Sequence, residues 1–233
     1  MRQWRMRSAG HDGRGRPRLE QSRRPGSTAR EEILDAAAEL FTKIGYAGTS
    51  TRRIADAVGM RQASLYHHFA TKDDILDALL AGTVDEALRL AGDLLVQGGP
   101  AAERLHALLV ADCSQLCASR WNLGALYLLP ELRVDRFAQF RANREELRRR
   151  YRRLAALVIA ECDGIADADD LPFRLVESVI NRRSDDEECV PETPAVIADA
   201  ALRILGWHSD FGRLRQRSAE LLETARWEPA VTG

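Results

Sequence analysis

The sequence predicts an all-α protein, a small three-helix domain followed by a larger helical bundle, and three observations predict it. Apolar residues recur three and four positions apart through most of the chain beyond Ala29, the spacing that lines one face of a helix. The stretches are separated by helix-ending residues, among them Gly45, Gly59, Gly98-Gly99-Pro100, Pro130 and Gly164. Between Thr49 and Lys72, TSTRRIADAVGMRQASLYHHFATK reads as two short helices around a tight turn, the second polar over most of its surface.

Residues 1–27 have Gly, Pro and Arg but no apolar period, the composition of a disordered basic arm. Residues 1–30 carry a net charge of +7, residues 31–80 a net −3 and the remainder −5, so the balance of −1 hides a strong asymmetry. No apolar segment follows the amino-terminal charges as in a signal peptide.

The first helix rests on the stripe Ile33, Ala37, Leu40, Phe41 and Ile44, with Thr28 and Glu31 spaced for a capping box and Gly45 as its stop. In the second, Ile54, Ala55 and Val58 share one face, and Gly59 turns the chain at positive φ. In the third, Met60, Leu65 and Phe69 are core candidates, leaving Gln62, Ser64, Tyr66, His67 and His68 with donors and acceptors. Such a pair matches a helix-turn-helix whose second helix enters the major groove of DNA. There Gln62 suits adenine, Ser64 a base edge and the methyl of Ala63 a thymine methyl. Tyr66 suits a phosphate and Arg52 either a guanine or a phosphate. The other reading makes Tyr66 and Phe69 core aromatics and His67 and His68 ordinary surface residues, one of them packed inward.

The string from Ala29 to about Leu80, roughly a fifth of the chain, resembles the amino-terminal domain of TetR-family transcriptional regulators. Ile54-Ala55, Gly59, Leu65-Tyr66, His68-Phe69 and the Lys72 after Thr71 carry the resemblance. It implies helices over 31–45, 50–57 and 61–68, a DNA-binding domain over 28–74, an effector-binding and dimerisation domain over 75–226, and DNA contacts from Thr49, Ser50, Arg52, Arg61, Gln62, Ala63, Ser64, Tyr66, His67, His68 and Lys72, the last to a phosphate. Arg61 departs from the pattern: it stands where the family usually has a capping Ser or Thr, and a guanidinium has no acceptor for the free helix N–H groups, a loss of up to about 1 kcal/mol. Ala63 replaces a common Gly. Gly15-Arg16-Pro17-Arg18 resembles an AT-hook core, with Arg16 and Arg18 for the minor groove; a solubilising tail is the other reading.

A fourth helix opens after Thr71, which is spaced with Asp74 for a second capping box, and continues towards Leu95 through Ile75, Leu76, Leu79, Leu80 and Val84. Another spans 101–118, then an aromatic, apolar segment broken by Pro130, then a long helix from Phe137 to near Gly164. The arginines between Arg148 and Arg153 share that helix with Glu145, Glu146 and Glu161, the pattern of a solvated face. Trp121, Leu126, Tyr127, Phe137 and Tyr151 are the candidates for a pocket holding a small, apolar effector; the bland reading of each is aromatic or aliphatic core. Helices over 171–182, with Phe173, Val176, Val179 and Ile180, and 193–207, with Val196, Ile197, Ala200, Leu202, Ile204 and Leu205, form the homodimer surface that the resemblance implies, and a further helix follows Trp207.

No cofactor is expected and no metal site is assigned. His106, Cys113 and Cys117 share a helical stripe, however, so a metal-responsive repressor is an alternative. The four cysteines, with no CxxC spacing, no export signal and no membrane-length apolar run, suit a reducing cytoplasm. An enzyme is not expected, because neither GxSxG nor GxxxxGK occurs. The resemblance implies a ligand-responsive repressor on a palindromic operator in double-stranded DNA, with an activator of the same fold as the alternative.

Overall fold

The computed structural model describes residues 24–162, 164–186 and 189–227. Among them the chain forms nine α-helices and four short 3-10 segments. Helices α1 (Ala29–Lys43), α2 (Thr51–Val58) and α3 (Gln62–Tyr66) make a compact triangle over the start of α4 (Lys72–Val96). The bundle comprises α4, α5 (Ala101–Ala118), α6 (Ala138–Cys162), α7 (Leu171–Asp186), α8 (Thr193–Ile204) and α9 (Phe211–Thr224). Residues 123–137 between α5 and α6 run through three 3-10 segments, as the apolar stretch broken by Pro130 predicts. No helix among the described residues is long and apolar enough to cross a membrane.

The helix starts follow local chemistry. Thr28 and Glu31 close a capping box on α1, and Thr71 and Asp74 close another on α4. Ser50 caps α2, its hydroxyl accepting from the Arg53 N–H at 3.2 Å. Gly59 ends α2 at φ 79°, a conformation that a side chain would strain. Ile33, Phe41, Ile54, Val58, Leu65 and Phe69 form the small domain's core against Ile75 and Leu76 of α4. Ile44 departs from its expected place: α1 closes at Lys43, which turns the residue outward, 46 % exposed.

Helix α4 is common to both bodies. It is 25 residues long, about 37 Å at 1.5 Å per residue, and runs unbroken through the expected boundary at 74/75. Helix α5 is the bundle's centre, buried along most of its length between α4, α6, α7, α8 and α9. It carries buried polar groups that need partners. His106 Nε2 meets Asp199 Oδ1 at 3.2 Å, and Arg104 donates to the carbonyls of Leu94 and Gln97, each at 3.1 Å. Tyr151 Oη donates to Asp112 Oδ2 at 2.9 Å.

Four of the five arginines from Arg148 to Arg153 are paired with carboxylates, in keeping with a solvated face. Arg148 bonds Asp170, Arg149 and Arg150 bond Glu146, and Arg152 bonds Asp169.

Past α6 the chain passes the end of α8 at backbone contact. A Cβ on Gly164 would lie 2.1 Å from the carbonyl oxygen of Leu205, with Gly206 alongside at φ 93°. Gly164→Ala is therefore expected to destabilise the chain by about 2–3 kcal/mol, the scale of overpacking a rigid site. Urea denaturation checks it, and a change under 0.5 kcal/mol would show the contact to be dispensable.

Candidate nucleic-acid interface and effector cavity

The helix-turn-helix is held by a small polar network. Gln62 Nε2 donates to Thr51 Oγ1 at 2.9 Å and to Tyr66 Oη at 3.2 Å, while those two hydroxyls lie 3.2 Å apart. The network ties the start of α2 to α3, and sequence reasoning missed Thr51 because its partners lie 11 and 15 positions away. It also changes what Gln62 presents. A bidentate bond to adenine needs the amide N–H and the amide oxygen together; here both N–H groups are engaged and Oε1 is the group left to a base.

Helix α3 is shorter than the expected 61–68, because the chain leaves helical geometry after Tyr66. Arg61 stands at its N-cap without a side-chain bond to the helix, as its chemistry requires. Around α3, Ser50, Arg52, Arg61, Ala63, Ser64, His67 and His68 are exposed and Tyr66 is 48 % exposed. Both histidines face solvent, so the inward-packed one of the bland reading is absent. Thr49 is a correction. Its side chain is buried and donates to the carbonyl of Gly45 at 2.9 Å, so it shapes the α1–α2 turn and offers nothing to a ligand.

Lys72 also has partners within the chain. Nζ donates to the carbonyls of Tyr46 at 2.8 Å and Thr49 at 3.0 Å and sits 4.0 Å from the centre of the Tyr46 ring. The Tyr46 hydroxyl in turn bonds Asp73, and burial with that carboxylate raises its pKa. These contacts pin the turn before α2 onto the first turn of α4.

On the other side of α1, the buried carboxylate of Asp35 accepts from Trp121 Nε1 at 2.8 Å, Arg24 at 3.0 Å and Arg120 at 3.2 Å. Arg24 also pairs with Glu39, so residues 24–27, expected to belong to the free arm, are anchored at their first member. Arg16 and Arg18 lie outside the described residues. Beside Asp35 a cavity of about 550 Å³ opens between α1, α4 and the α5–α6 connection, with Trp121 in its wall.

The five expected pocket residues do not share one space. Trp121 belongs to the junction cavity, with its indole N–H spent on Asp35. Leu126 and Phe137 are buried core, and Tyr151 is fully buried against Asp112 and Phe173. Tyr127 lines a small space of about 20 Å³ in the bundle with Thr83, Asp112, Arg144, Phe173 and Glu177, its hydroxyl donating to Thr83 Oγ1 at 2.6 Å. The aromatic residues spread because they sit on different elements. Missed altogether was the polar group set facing Tyr127, since one carboxylate or glutamine per helix leaves no periodic signal.

The stripe of His106, Cys113 and Cys117 forms no metal site. His106 is turned to Asp199, and burial lowers its pKa. Burial raises the Cys113 thiol well above its ordinary value and, with Cys189 beside it, pushes Cys117 up to about 12, so neither is a ready thiolate ligand. Among the described residues no three His, Cys, Asp or Glu side chains gather as a metal would require.

With this geometry in hand, the chain was compared with known proteins. The family model for bacterial regulatory proteins of the tetR family matches residues 33–79, the segment from α1 into α4. The crystal structure of Mycobacterium smegmatis AmtR is 69 % identical, has a TM-score of 0.84, and is covered over 100 % of its length by 90 % of this chain. The chain belongs to the TetR family. Among curated TetR-type relatives, the transcriptional repressor KstR2 of Rhodococcus jostii is 37 % identical over 93 residues, 40 % of this chain and 46 % of that protein, so the match spans less than half of that relative. The structure of the ketosteroid transcriptional regulator KstR2 of Mycobacterium tuberculosis, 23 % identical with a TM-score of 0.64 over 78 % of this chain and 95 % of that one, shares the TetR-family fold.

Asp112 gives the bundle of this TetR-family chain a pH signature. Burial raises its carboxyl from the ordinary 3.8 to about 7, so the folded protein keeps a proton that the unfolded chain releases above pH 4. Folding thus loses stability as pH rises from about 4 to about 7, at about 1.4 kcal/mol per pH unit, and no more beyond. Asp112→Asn, which keeps an acceptor for Tyr151, removes the loss. Relative to the parent it is expected to gain stability steadily across that window, to a ceiling of about 4 kcal/mol. Urea midpoints at pH 4.5, 5.5, 6.5 and 7.5 test this; a pH-independent difference would rule out Asp112 as the titrating group.

Proposed function

We propose that this chain is a ligand-responsive transcriptional repressor of the cytoplasm that binds a near-palindromic DNA operator as a homodimer. The observation that carries the reading is the exposed set Ser50, Arg52, Arg61, Ala63, Ser64 and Tyr66 around a braced α3, inside the segment matched by the family model. The name of KstR2 as a transcriptional repressor supports the sign of regulation.

The proposed anatomy is an arm over 1–27, a DNA-binding domain over 28–74 and an effector and dimerisation domain over 75–226. Arg52 and Arg61 supply positive charge that residues 31–80 as a whole lack, and the arm, with Arg16 and Arg18, supplies the rest in the minor groove. Gln62 Oε1 accepts from an exposed base amino group, Ser64 bonds a base edge, Ala63 meets a thymine methyl and Tyr66 reaches a phosphate. His67 and His68 stand at the end of α3 to flank the backbone. Lys72 acts through the Tyr46–Thr49 turn and offers its remaining N–H to phosphate.

Footprinting on the DNA flanking its own gene is expected to show two protected half-sites about one helical turn apart. Gln62→Ala and Tyr66→Phe should each weaken protection about tenfold, the scale of one lost hydrogen bond to a charged or base group. Arg61→Ser should move two measurements in opposite directions, raising stability by about 0.5 kcal/mol through the restored cap while weakening DNA binding and lowering its salt slope by about 1. Protection that is absent, or that ignores all three changes, would overturn the site assignment.

Homodimerisation is proposed through α7 and α8, with a changed residue set. Phe173, Val176 and Val179 pack into their own bundle, whereas Leu171, Val196 and Ile204 are 43 %, 61 % and 38 % exposed. Val196, Ala200 and Ile204 stand four apart on one face of α8, a surface suited to a symmetry mate. Light scattering should give about twice the chain's 26.0 kDa at micromolar concentration, and Val196→Glu with Ile204→Glu should give one chain. A monomeric parent would dismiss the surface.

A further inference from the structure

Gln115, on the central helix, has an unusual position. It is nine-tenths buried, and its Nε2 donates to the carbonyl of Gly82 in the middle of α4 at 2.8 Å. Its Oε1 is buried with no hydrogen-bond partner within the protein. A buried acceptor without a donor is costly, so such a group marks a place where a further molecule belongs. Gln115 lines a second small space of about 20 Å³, walled also by Gly82, Thr83, Ser119, Leu123 and Arg183.

That space adjoins two others. Gly82, Ser119 and Leu123 are also walls of the 550 Å³ junction cavity beneath α1. Thr83 and Leu116 are also walls of the space that holds Tyr127, Asp112 and Arg144. A Cβ built on Gly82 would meet nothing within 4 Å. Glycine in a helix interior is unfavourable, and neither a turn nor a close backbone contact calls for it here. Gly82 is exposed, so the side chain it lacks leaves the surface of α4 open at the point where the junction cavity meets the Gln115 space.

The lining also states what fits. Arg144 is paired with Glu177, its Nε is buried without a partner, and Tyr127 and Thr83 bring hydroxyls. Arg183, which also lines the Gln115 space, gives its Nη groups to the carbonyls of Leu116, Trp121 and Ser119, so an ammonium guest would enter beside two guanidinium groups, and a carboxylate has no donor for Gln115 Oε1. An apolar guest would leave Gln115 Oε1 and Arg144 Nε unpaired. Each of the two small spaces has room for about one water, so the guest is small or parts the helices as it enters.

Resting on the effector reading above, we infer that the bundle binds a small uncharged molecule bearing both hydrogen-bond donors and an acceptor, admitted from the α1–α4 junction through the gap at Gly82 and held by Gln115. This replaces the apolar effector that the aromatic residues suggested. It also places the entrance against α1, the first helix of the small domain.

Four probes of similar size separate the possibilities: propionamide, propionate, propylamine and cyclopentane. Thermal denaturation and titration calorimetry of the full chain are expected to show saturable stabilisation by propionamide alone, in the millimolar range that a handful of atoms can supply. Gly82→Ala should keep the response. Gly82→Phe, which fills the gap, and Gln115→Met should each weaken it at least about tenfold with helix content unchanged. If Gly82→Phe does not fold, Gly82→Leu serves in its place. Stabilisation by cyclopentane or an ion alone, an equal response in every variant, or no response up to about 100 mM would overturn the inference. Footprinting of the ligand-free chain reports separately on the regulator reading: protection without amide binding defeats only this inference, and amide binding without protection defeats only that reading.

Discussion

The carboxylate of Asp35 is the constraint on which the arrangement of the two bodies depends. It is buried on α1, where an unpaired negative charge is costly, and its partners come from outside the three-helix domain's own core: Trp121 and Arg120 after α5, and Arg24 before α1. Satisfying that one charge fixes α1 against the α5–α6 connection. A second clamp, from Lys72 and Asp73 to the Tyr46–Thr49 turn, fixes the other end of α1 on α4. With α1 held at both ends, the α2–α3 pair has little freedom to move except with α4.

Helix α4 thereby becomes the lever between the proposed effector space and the DNA face. Its first turn carries the clamp to Tyr46, and its middle carries Gly82 and Thr83 in the walls of the cavities. In the proposed dimer, a guest that parted α4 from α5 would shift the two α3 helices relative to one another, and by linkage the operator would weaken the guest to the same factor.

Much of this was legible in residues that act locally. Thr28 with Glu31, Ser50, Gly59, and Thr71 with Asp74 set the helix ends through bonds that reach only three or four positions, so the pattern and the structure agree there. The missing cap at Arg61 was readable for the same reason. Illegible were the places where one residue answers to several distant ones. The resemblance implies Thr49 as a contact residue, yet the turn buries it with its hydroxyl on the Gly45 carbonyl. Ile44 read as core because it continues the stripe of α1, yet the helix ends a residue earlier.

The sequence by itself determined the all-α class, the order of the helices, their caps and the helix-turn-helix segment, because periodicity and capping operate within about four residues. Only the tertiary structure decided that Asp35 meets Trp121 across 86 positions and His106 meets Asp199 across 93. It alone decided that Gln62 spends its N–H groups on Thr51 and Tyr66, and that the bundle's interior is polar around Gln115 and Asp112. A buried polar group chooses its partner by proximity after packing, and the separation along the chain says nothing about which helix will bring that partner near.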